Sequence, residues 1–315
     1  MTASSNSVVV LGSLNMDIIA SVERLPGAGE TIAAKGLIRR FGGKGANQAL
    51  AARKQGGAVT MIGCVGEDAD GAAYRARFEK AGIDMQHVRA VKTQPTGTAV
   101  IAVDARAENQ IIVAAGANGA VSPAMVRAAK PAIQEAAVLL VQLEVPVPAV
   151  VAAMKIANRE GVPIVLNPSP FRKDFPWGHL AIDYVIVNEG EALQLFRRPA
   201  SDLPHSPKKW RAAMRRRQIK NLVVTCGADS TWLLNESGIA EVPTFKVSPI
   251  DTVGAGDAFA GTLTACLARG ASALDAIAIG NAAGALATMK SGAQEAMATA
   301  ATIRRRIASS QRTDE

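Results

Sequence analysis

The chain has 315 residues, 49% of them hydrophobic and 4% aromatic, with a formal net charge of +8, which suits one large α/β core. Cys64, Cys226 and Cys266 are too dispersed, and odd in number, for a disulfide framework or a metal-ligand spacing, and no apolar run approaches the roughly 18 residues that span a bilayer. The positive charge leaves two readings for KKWRAAMRRRQIK (208–220): nucleic-acid binding, or a solvated helix face on a protein that handles anionic small molecules. The second is favoured, because the run has no stacking aromatic beyond Trp210 and matches no nucleic-acid module.

The polar start MTASSNS lacks the apolar core of a signal peptide, and with the unpaired cysteines it points to the cytoplasm. VVVL (8–11), closed by Gly12, reads as a buried strand. The stretches 17–22 and 31–38, with Pro26, Gly27 and Gly29 between them, read as antiparallel strands outside the main core. A similar pair follows at 98–103 and 110–114, and the two pairs can meet as one small sheet. A helix is expected over 46–55, a strand over 58–66 and a helix over 71–81. Ser122 with Pro123 supplies an N-cap and a first-turn proline for a helix to about 136. AVLLVQLE (137–144), VPIVLN (162–167), DYVIVN (183–188) and KNLVVTCG (220–227) are further apolar strands, with a helix over 148–160 between the first two. Such alternation means right-handed β-α-β units and a mostly parallel sheet flanked by helices. The last helices are expected from about 255 to Gly270 and from Ser272, capped with Asp275, to about 290. The tail is expected to fray beyond 309.

The segment PIDTVGAGDAFAG (249–261) carries the chemistry. A helix starting near Ala255 leaves its first N–H groups unpaired at the positive end of its dipole. With Gly254 and Gly256 lacking side chains, a phosphoryl group can sit on those amides, and Asp257 projects beside it. A carboxylate there can take a hydroxyl proton while the amides hold the phosphate under attack. GAGDAF is no dinucleotide fingerprint, because Phe259 stands where the last small residue belongs. Lys44, followed by Gly45, is no Walker lysine either.

FGGKGANQAL (41–50) is the second cluster. Gly42, Gly43 and Gly45 are expected to let the backbone approach a ligand, with Lys44 and Asn47 offering polar groups to it. Asn15 and Asp17 in GSLNMDII share one side of an extended strand and suit the vicinal hydroxyls of a sugar. Glu144, Asn188, Thr225 and Gly227 stand at the carboxyl ends of strands, where parallel sheets bind ligands. Glu191, one helical turn after Asn188, can with it orient phosphate and hydrated Mg²⁺.

DTVGAGDAFAGTL and GGKGANQA, with VVLGSLNMD, GCVGEDADG, QLEVP, LNPSP, VNEGEA and KSGAQ between and around them, resemble the signatures of the ribokinase-like carbohydrate kinases over nearly the whole chain. The resemblance implies one α/β domain over 1–315, with about nine strands and a small β-sheet lid formed by about 17–41 and 97–115. In the family that lid commonly makes a homodimer. The implied activity is ATP-dependent phosphorylation of the ribose 5-hydroxyl. In that scheme Asp257 is the base and Gly254, Ala255 and Gly256 form the anion hole. Asn15, Asp17, Gly43, Lys44, Asn47 and Glu144 hold the sugar, while Asn188, Thr225, Gly227, Gly256 and Asn281 line the nucleotide site with Mg²⁺ near Glu191. A K⁺ ion is implied beside the anion hole, on the carboxylate of a buried Asp251 and the backbones of Val253, Ala287, Lys290 and Gly292. Ala296 stands where a hydroxyl ligand is common. Kinases of deoxyribose, fructose or nucleosides share the C-terminal motif, and a non-catalytic sugar or nucleotide sensor could share the fold.

Overall fold

The computed structural model describes residues 6–106 and 108–311. The first five residues of the polar start and the tail beyond 311 lie outside the described residues. In chain order, β1 (Ser7–Leu11) is followed by β2 (Asn15–Ser21), β3 (Gly36–Gly42), α1 (Lys44–Lys54), β4 (Ala58–Gly66), α2 (Ala69–Lys80) and β5 (Ile83–Val91). Then come β6 (Gly97–Val103), β7 (Asn109–Ala114), α3 (Pro123–Ala128), α4 (Lys130–Gln134), β8 (Val138–Val141) and α5 (Val147–Glu160). Next are β9 (Ile164–Leu166), β10 (Ile182–Asn188), α6 (Glu189–Phe196), α7 (Pro207–Arg216), β11 (Ile219–Thr225), β12 (Ser230–Leu234) and β13 (Ile239–Pro243). The chain closes with α8 (Ala255–Ala268), α9 (Ala273–Thr288), α10 (Ala293–Ala296) and α11 (Ala300–Gln311).

The large sheet has nine strands in the order β13-β12-β11-β10-β9-β8-β1-β4-β5. Neighbours from β5 to β11 are parallel, and β12 and β13 add an antiparallel edge. Alternate residues of β1 serve opposite faces. Val9 and Leu11 pack with Val150 and Met154 of α5, and Val8 and Val10 with Leu50 of α1 and Leu263 of α8. Both faces are therefore buried, which is why these strands read as continuous apolar runs. The chain winds outward from β1 to β4 and β5 on one side, and from β8 onward on the other. The carboxyl ends of β1 and β8 thus flank a topological switch point, the place where open α/β sheets bind ligands.

Four strands form the small sheet, in the order β3-β2-β6-β7, so the separated hairpin segments do meet. β2 pairs antiparallel with β3 and parallel with β6. Leu37, Ile38, Val100, Ile111, Ile112 and Val113 leave apolar side chains exposed on this sheet.

Several elements differ from the sequence expectation. The strand expected at 31–38 is Gly36–Gly42, because its partner β2 ends at Ser21, opposite Gly36. The helix after Ser122 breaks at Ala129, where Pro131 ends the ladder of backbone donors and restricts the residue before it. β5 was hidden by its polar alternation, since it buries Ile83, Met85 and Val88 and exposes the residues between. β12 and β13 are short strands around a turn whose Ser237 and Gly238 amides donate to Asn235 Oδ1. The helix α11 continues past 309 to Gln311. In the basic run, α7 buries Trp210 against Phe196, so its one aromatic ring belongs to the core. No helix among the described residues is long and apolar enough to cross a membrane.

Candidate active site

The site grows from the switch point. Beyond β1, Ser13 donates from Oγ to Glu144 Oε2 at 2.5 Å, and the Lys44 backbone N–H donates to the same oxygen at 3.0 Å. Glu144 follows β8, so these bonds tie the ends of two adjacent strands to the first turn of α1. Asn15 opens β2 and is buried. Its Oδ1 accepts from Asn118 Nδ2 at 2.7 Å, and Asn118 also bonds both backbone groups of Leu14. Asn118 lies in the stretch GANGA (116–120), to which the sequence reading assigns no role.

Gly42 and Gly45 make room for the chain itself, which corrects the expectation that they open the backbone to a ligand. A Cβ on Gly42 would lie 2.0 Å from the Asp17 carboxylate, and one on Gly45 would lie 2.5 Å from the Ser13 nitrogen. The close approach brings Asp17 and Glu144 into one acidic cluster beside the start of α1. Burial, and then Glu144, Asp257 and Glu295, push the Asp17 carboxyl up to about 7. For Lys44, burial works to lower the ammonium's pKa. The carboxylates of Asp257, Glu144 and Glu191 outweigh it and hold the group above the ordinary lysine value. Lys44 therefore lies within electrostatic reach of both the Asn15–Glu144 cluster and α6.

Asp257 is in the first turn of α8 and only 7% exposed. Asn47 Nδ2 donates to its Oδ2 and Gln48 Nε2 to its Oδ1, each at 2.9 Å. Gln48 Nε2 also donates to Asn167 Oδ1 at 3.1 Å, beyond the end of β9. The N-cap Gly254 is left-handed, with φ 80°, and a Cβ there would stand 2.8 Å from Ala293. A Cβ on Gly256 would meet nothing within 4 Å. The backbone N–H groups of Gly254, Gly256 and Asp257 have no acceptor among the described residues. A helix start with open space in front of its amides can hold an anion.

Asn188 and Thr225 are register partners at the carboxyl ends of β10 and β11. Asn188 and Glu191 form a reciprocal capping box, with Oδ1 of Asn188 accepting from the Glu191 N–H at 2.8 Å and Glu191 Oε2 accepting from the Asn188 N–H at 3.1 Å. That leaves Asn188 Nδ2 and Glu191 Oε1 for other partners. Gly227 follows in a left-handed turn open to solvent. Asn281, expected to line the nucleotide site, is buried. Its Nδ2 donates to the carbonyls of Val242 and Pro243 and its Oδ1 accepts from Thr231, so its amide ties α9 to β12 and β13.

The expected cation segments do meet. The Ile250 and Asp251 N–H groups both donate to the Thr288 carbonyl. Asp251 is half-exposed rather than buried. Its carboxylate accepts from the backbone N–H groups of Val253 at 3.0 Å and Gly292 at 2.9 Å, which supplies the partner that its expected burial seemed to demand of an ion. The expected donors, a carboxylate and backbone carbonyls, are all oxygen, the chemistry of a hard cation, and the Ala287 and Gly292 carbonyls also accept from the N–H groups of Lys290 and Ala296. Ala296 is buried and adds no ligand. Among the described residues no cluster of three or more His, Cys, Asp or Glu could hold a metal by itself.

Sequence reasoning missed Ser13, Gln48, Asn118, Gln142 and Asn167. The signal for Gln142 was a polar residue interrupting the apolar run AVLLVQLE; for Gln48 it was an amide among the alanines of α1, now fully buried.

A buried carboxylate with neutral amide partners, beside free helix-start amides and a polar cleft at a switch point, is equipped to move a phosphoryl group onto a bound alcohol. The model of the pfkB family carbohydrate kinases matches residues 5–300, and the chain belongs to that family. It is similar to the ribokinase of Haemophilus influenzae, at 36% identity over 293 residues covering 93% of this chain and 95% of that protein. It is also similar to the deoxyribokinase of Salmonella typhi, at 32% identity over 258 residues covering 81% of this chain and 83% of that one. The solved structure of Arabidopsis thaliana ribokinase complexed with ribose and ATP matches with a TM-score of 0.88 at 28% identity, covering 95% of this chain and 98% of that one.

Proposed function

We propose that the chain is an ATP-dependent ribokinase, which transfers the γ-phosphoryl group of ATP to the 5-hydroxyl of D-ribose and releases ribose 5-phosphate and ADP. The observation that carries this reading is the Asp257 carboxylate, buried at a helix start and hydrogen-bonded, among the described residues, by the neutral amides of Asn47 and Gln48. Such a carboxylate is fixed in place by neutral donors, and the Lys44 ammonium acts on it through its charge without a hydrogen bond. The sugar oxygen attacks the γ-phosphorus, the bond to the β-phosphate oxygen breaks, and the hydroxyl proton passes to Asp257. The free N–H groups of Gly254 and Gly256 stabilise charge on the transferring group, and the Ala255 N–H joins them only on leaving the Thr252 carbonyl, to which it donates at 3.3 Å.

Asn15, Asp17, Gly43, Lys44, Asn47 and Glu144 hold the pentose. Their clustering near the ends of β1 and β8 supports that role, as does the similarity to a ribokinase solved with ribose and ATP. Asn188, Thr225, Gly227 and Gly256 line the nucleotide, and Asn281 fixes the strands beside it. Mg²⁺ accompanies the ATP phosphates and neutralises their charge; Asn188 and Glu191 would orient it through water, as suits an ion that keeps several waters. The Asp251 carboxylate and the backbone oxygens of Val253, Ala287, Lys290 and Gly292 would hold K⁺, which supplies a fixed positive charge beside the anion-binding turn. The small sheet acts as a lid over the sugar, excluding water that would compete as acceptor. Its exposed Ile111, Ile112 and Val113 suit a homodimer contact. The free cysteines accord with a reducing cytoplasm.

Similarity to a deoxyribokinase keeps 2-deoxyribose as a second acceptor. ADP release measured across pentoses, hexoses and nucleosides separates the readings. Ribose is expected to give the highest kcat/KM. A higher value for deoxyribose, fructose or a nucleoside reassigns the acceptor, and ribose and ATP binding without ADP release removes the enzyme reading.

A further inference from the structure

We propose that Gln48, itself fixed by Asn167 and Gln142, is a positioning residue that aims the Asp257 carboxylate at the acceptor hydroxyl. The inference rests on Asp257 being the base, as read above.

The amide orientations follow from one unambiguous group. Asn167 Nδ2 donates to the Ile186 backbone carbonyl at 3.0 Å, so Asn167 must present its Oδ1 to Gln48. Gln48 must then turn its NH₂ toward Asn167, which leaves its Oε1 facing the other way. There Gln142 Nε2 donates to that Oε1 at 2.5 Å. The Gln48 NH₂ has two protons; one goes to Asn167 and the other to Asp257. Gln48 thus has no donor left for a substrate, and it is 0% exposed. Asn47 differs, because its buried Oδ1 has no partner among the described residues and remains free for a sugar hydroxyl. The residues flanking Asp257 divide the work: Asn47 can hold both the carboxylate and the sugar, while Gln48 can hold only the carboxylate.

Gln142 supports this division. It is 0% exposed in an otherwise apolar run, and its Oε1 finds no donor among the described residues. A buried acceptor left unpaired costs about 1–3 kcal/mol, which an apolar side chain there would avoid. The compensating feature is the bond that keeps Gln48 from flipping. A flipped Gln48 would set its oxygen against the Asp257 carboxylate and the Asn167 oxygen, placing acceptor against acceptor. The chain Ile186–Asn167–Gln48–Gln142 therefore spans the carboxyl edge from β10 across β9 to β8 and holds the base through Gln48.

The test compares Gln48→Met, Gln142→Met, Asp257→Asn and the Gln48→Met/Asp257→Asn double variant in the full chain. Thermal unfolding and ATP affinity establish folding. Gln48→Met is expected to lower kcat by about 10- to 100-fold, part of what a positioned base contributes, with KM for ribose and for ATP within about threefold of the parent. On the Asp257→Asn background the same change adds no further loss. Should Gln48→Met not fold, Gln142→Met reads the same effect at about 3- to 10-fold, again in kcat. Parental kcat in the folded variant overturns the proposal, as does an equal loss with and without Asp257. Near-parental turnover of Asp257→Asn overturns instead the reading of Asp257 as base.

Discussion

Around the ends of β1 and β8, the functional side chains are buried or half-buried and already bonded to one another. Asn15 is held by Asn118, Glu144 by Ser13, and Asp257 by Asn47 and Gln48. Around the ends of β10 and β11, Asn188 and Gly227 are exposed, and the organised feature is a helix cap. The contrast matches what each half has to bind. A sugar is small and neutral, so only preformed hydrogen bonds can orient its hydroxyl, and the entropy of arranging them is lost at folding rather than at binding. ATP brings its own charge and metal, and backbone amides can hold it with little help from side chains. Substitutions on the sugar half should therefore be far more damaging than those on the nucleotide half.

The largest effect is expected for Asp257→Asn, which keeps the amide contacts' shape and removes the base. Its kcat should fall by about 10²- to 10⁴-fold while ATP affinity stays near that of the parent, as steady-state kinetics and calorimetry would register. Asp17→Asn comes next. It replaces a carboxyl group that holds sugar hydroxyls by an amide with one acceptor fewer, and the ribose KM should rise about 10- to 100-fold.

The same variant should be more stable than the parent, with a defined pH dependence. The Asp17 carboxyl is raised to about 7 from an ordinary value of 3.8. The native state therefore keeps a proton that the unfolded chain releases, so this group's contribution is most favourable below the ordinary value and is lost as pH rises to about 7. The Tm advantage of Asp17→Asn should grow from pH 4 to pH 7 and level off above. No change in that advantage across the window would mean that Asp17 is not buried among carboxylates. At the other end of the scale, Thr225→Ala should alter the ATP KM by less than about fivefold, since its hydroxyl makes only a long, 3.4 Å bond to the Val187 carbonyl. A loss comparable to that of Asp17→Asn would erase the contrast between the halves.

The same difference explains what could be read from the sequence. The parallel sheet was legible because strands buried on both faces are continuous apolar runs, and the start of α8 because Gly254 and Asp257 mark a helix terminus. β5 escaped because an edge strand alternates with polar residues. Gln48, Asn118 and Gln142 escaped for a related reason. Each acts through a partner more than 90 positions away in sequence, and nothing local distinguishes a buried amide from an exposed one. Gly42 and Gly45 were seen as sites of close approach, but whether to a ligand or to the chain itself depends on where Asp17 and Ser13 fold.

A crystal structure of the complex with ribose and a non-hydrolysable ATP analogue most directly tests Asp257 as the base. The sugar 5-hydroxyl should lie within hydrogen-bond distance of the Asp257 carboxylate, with the terminal phosphate on the amides of Gly254 to Gly256. Ligands bound in separate places, or an Asp257 carboxylate turned away from the sugar, would contradict the assignment.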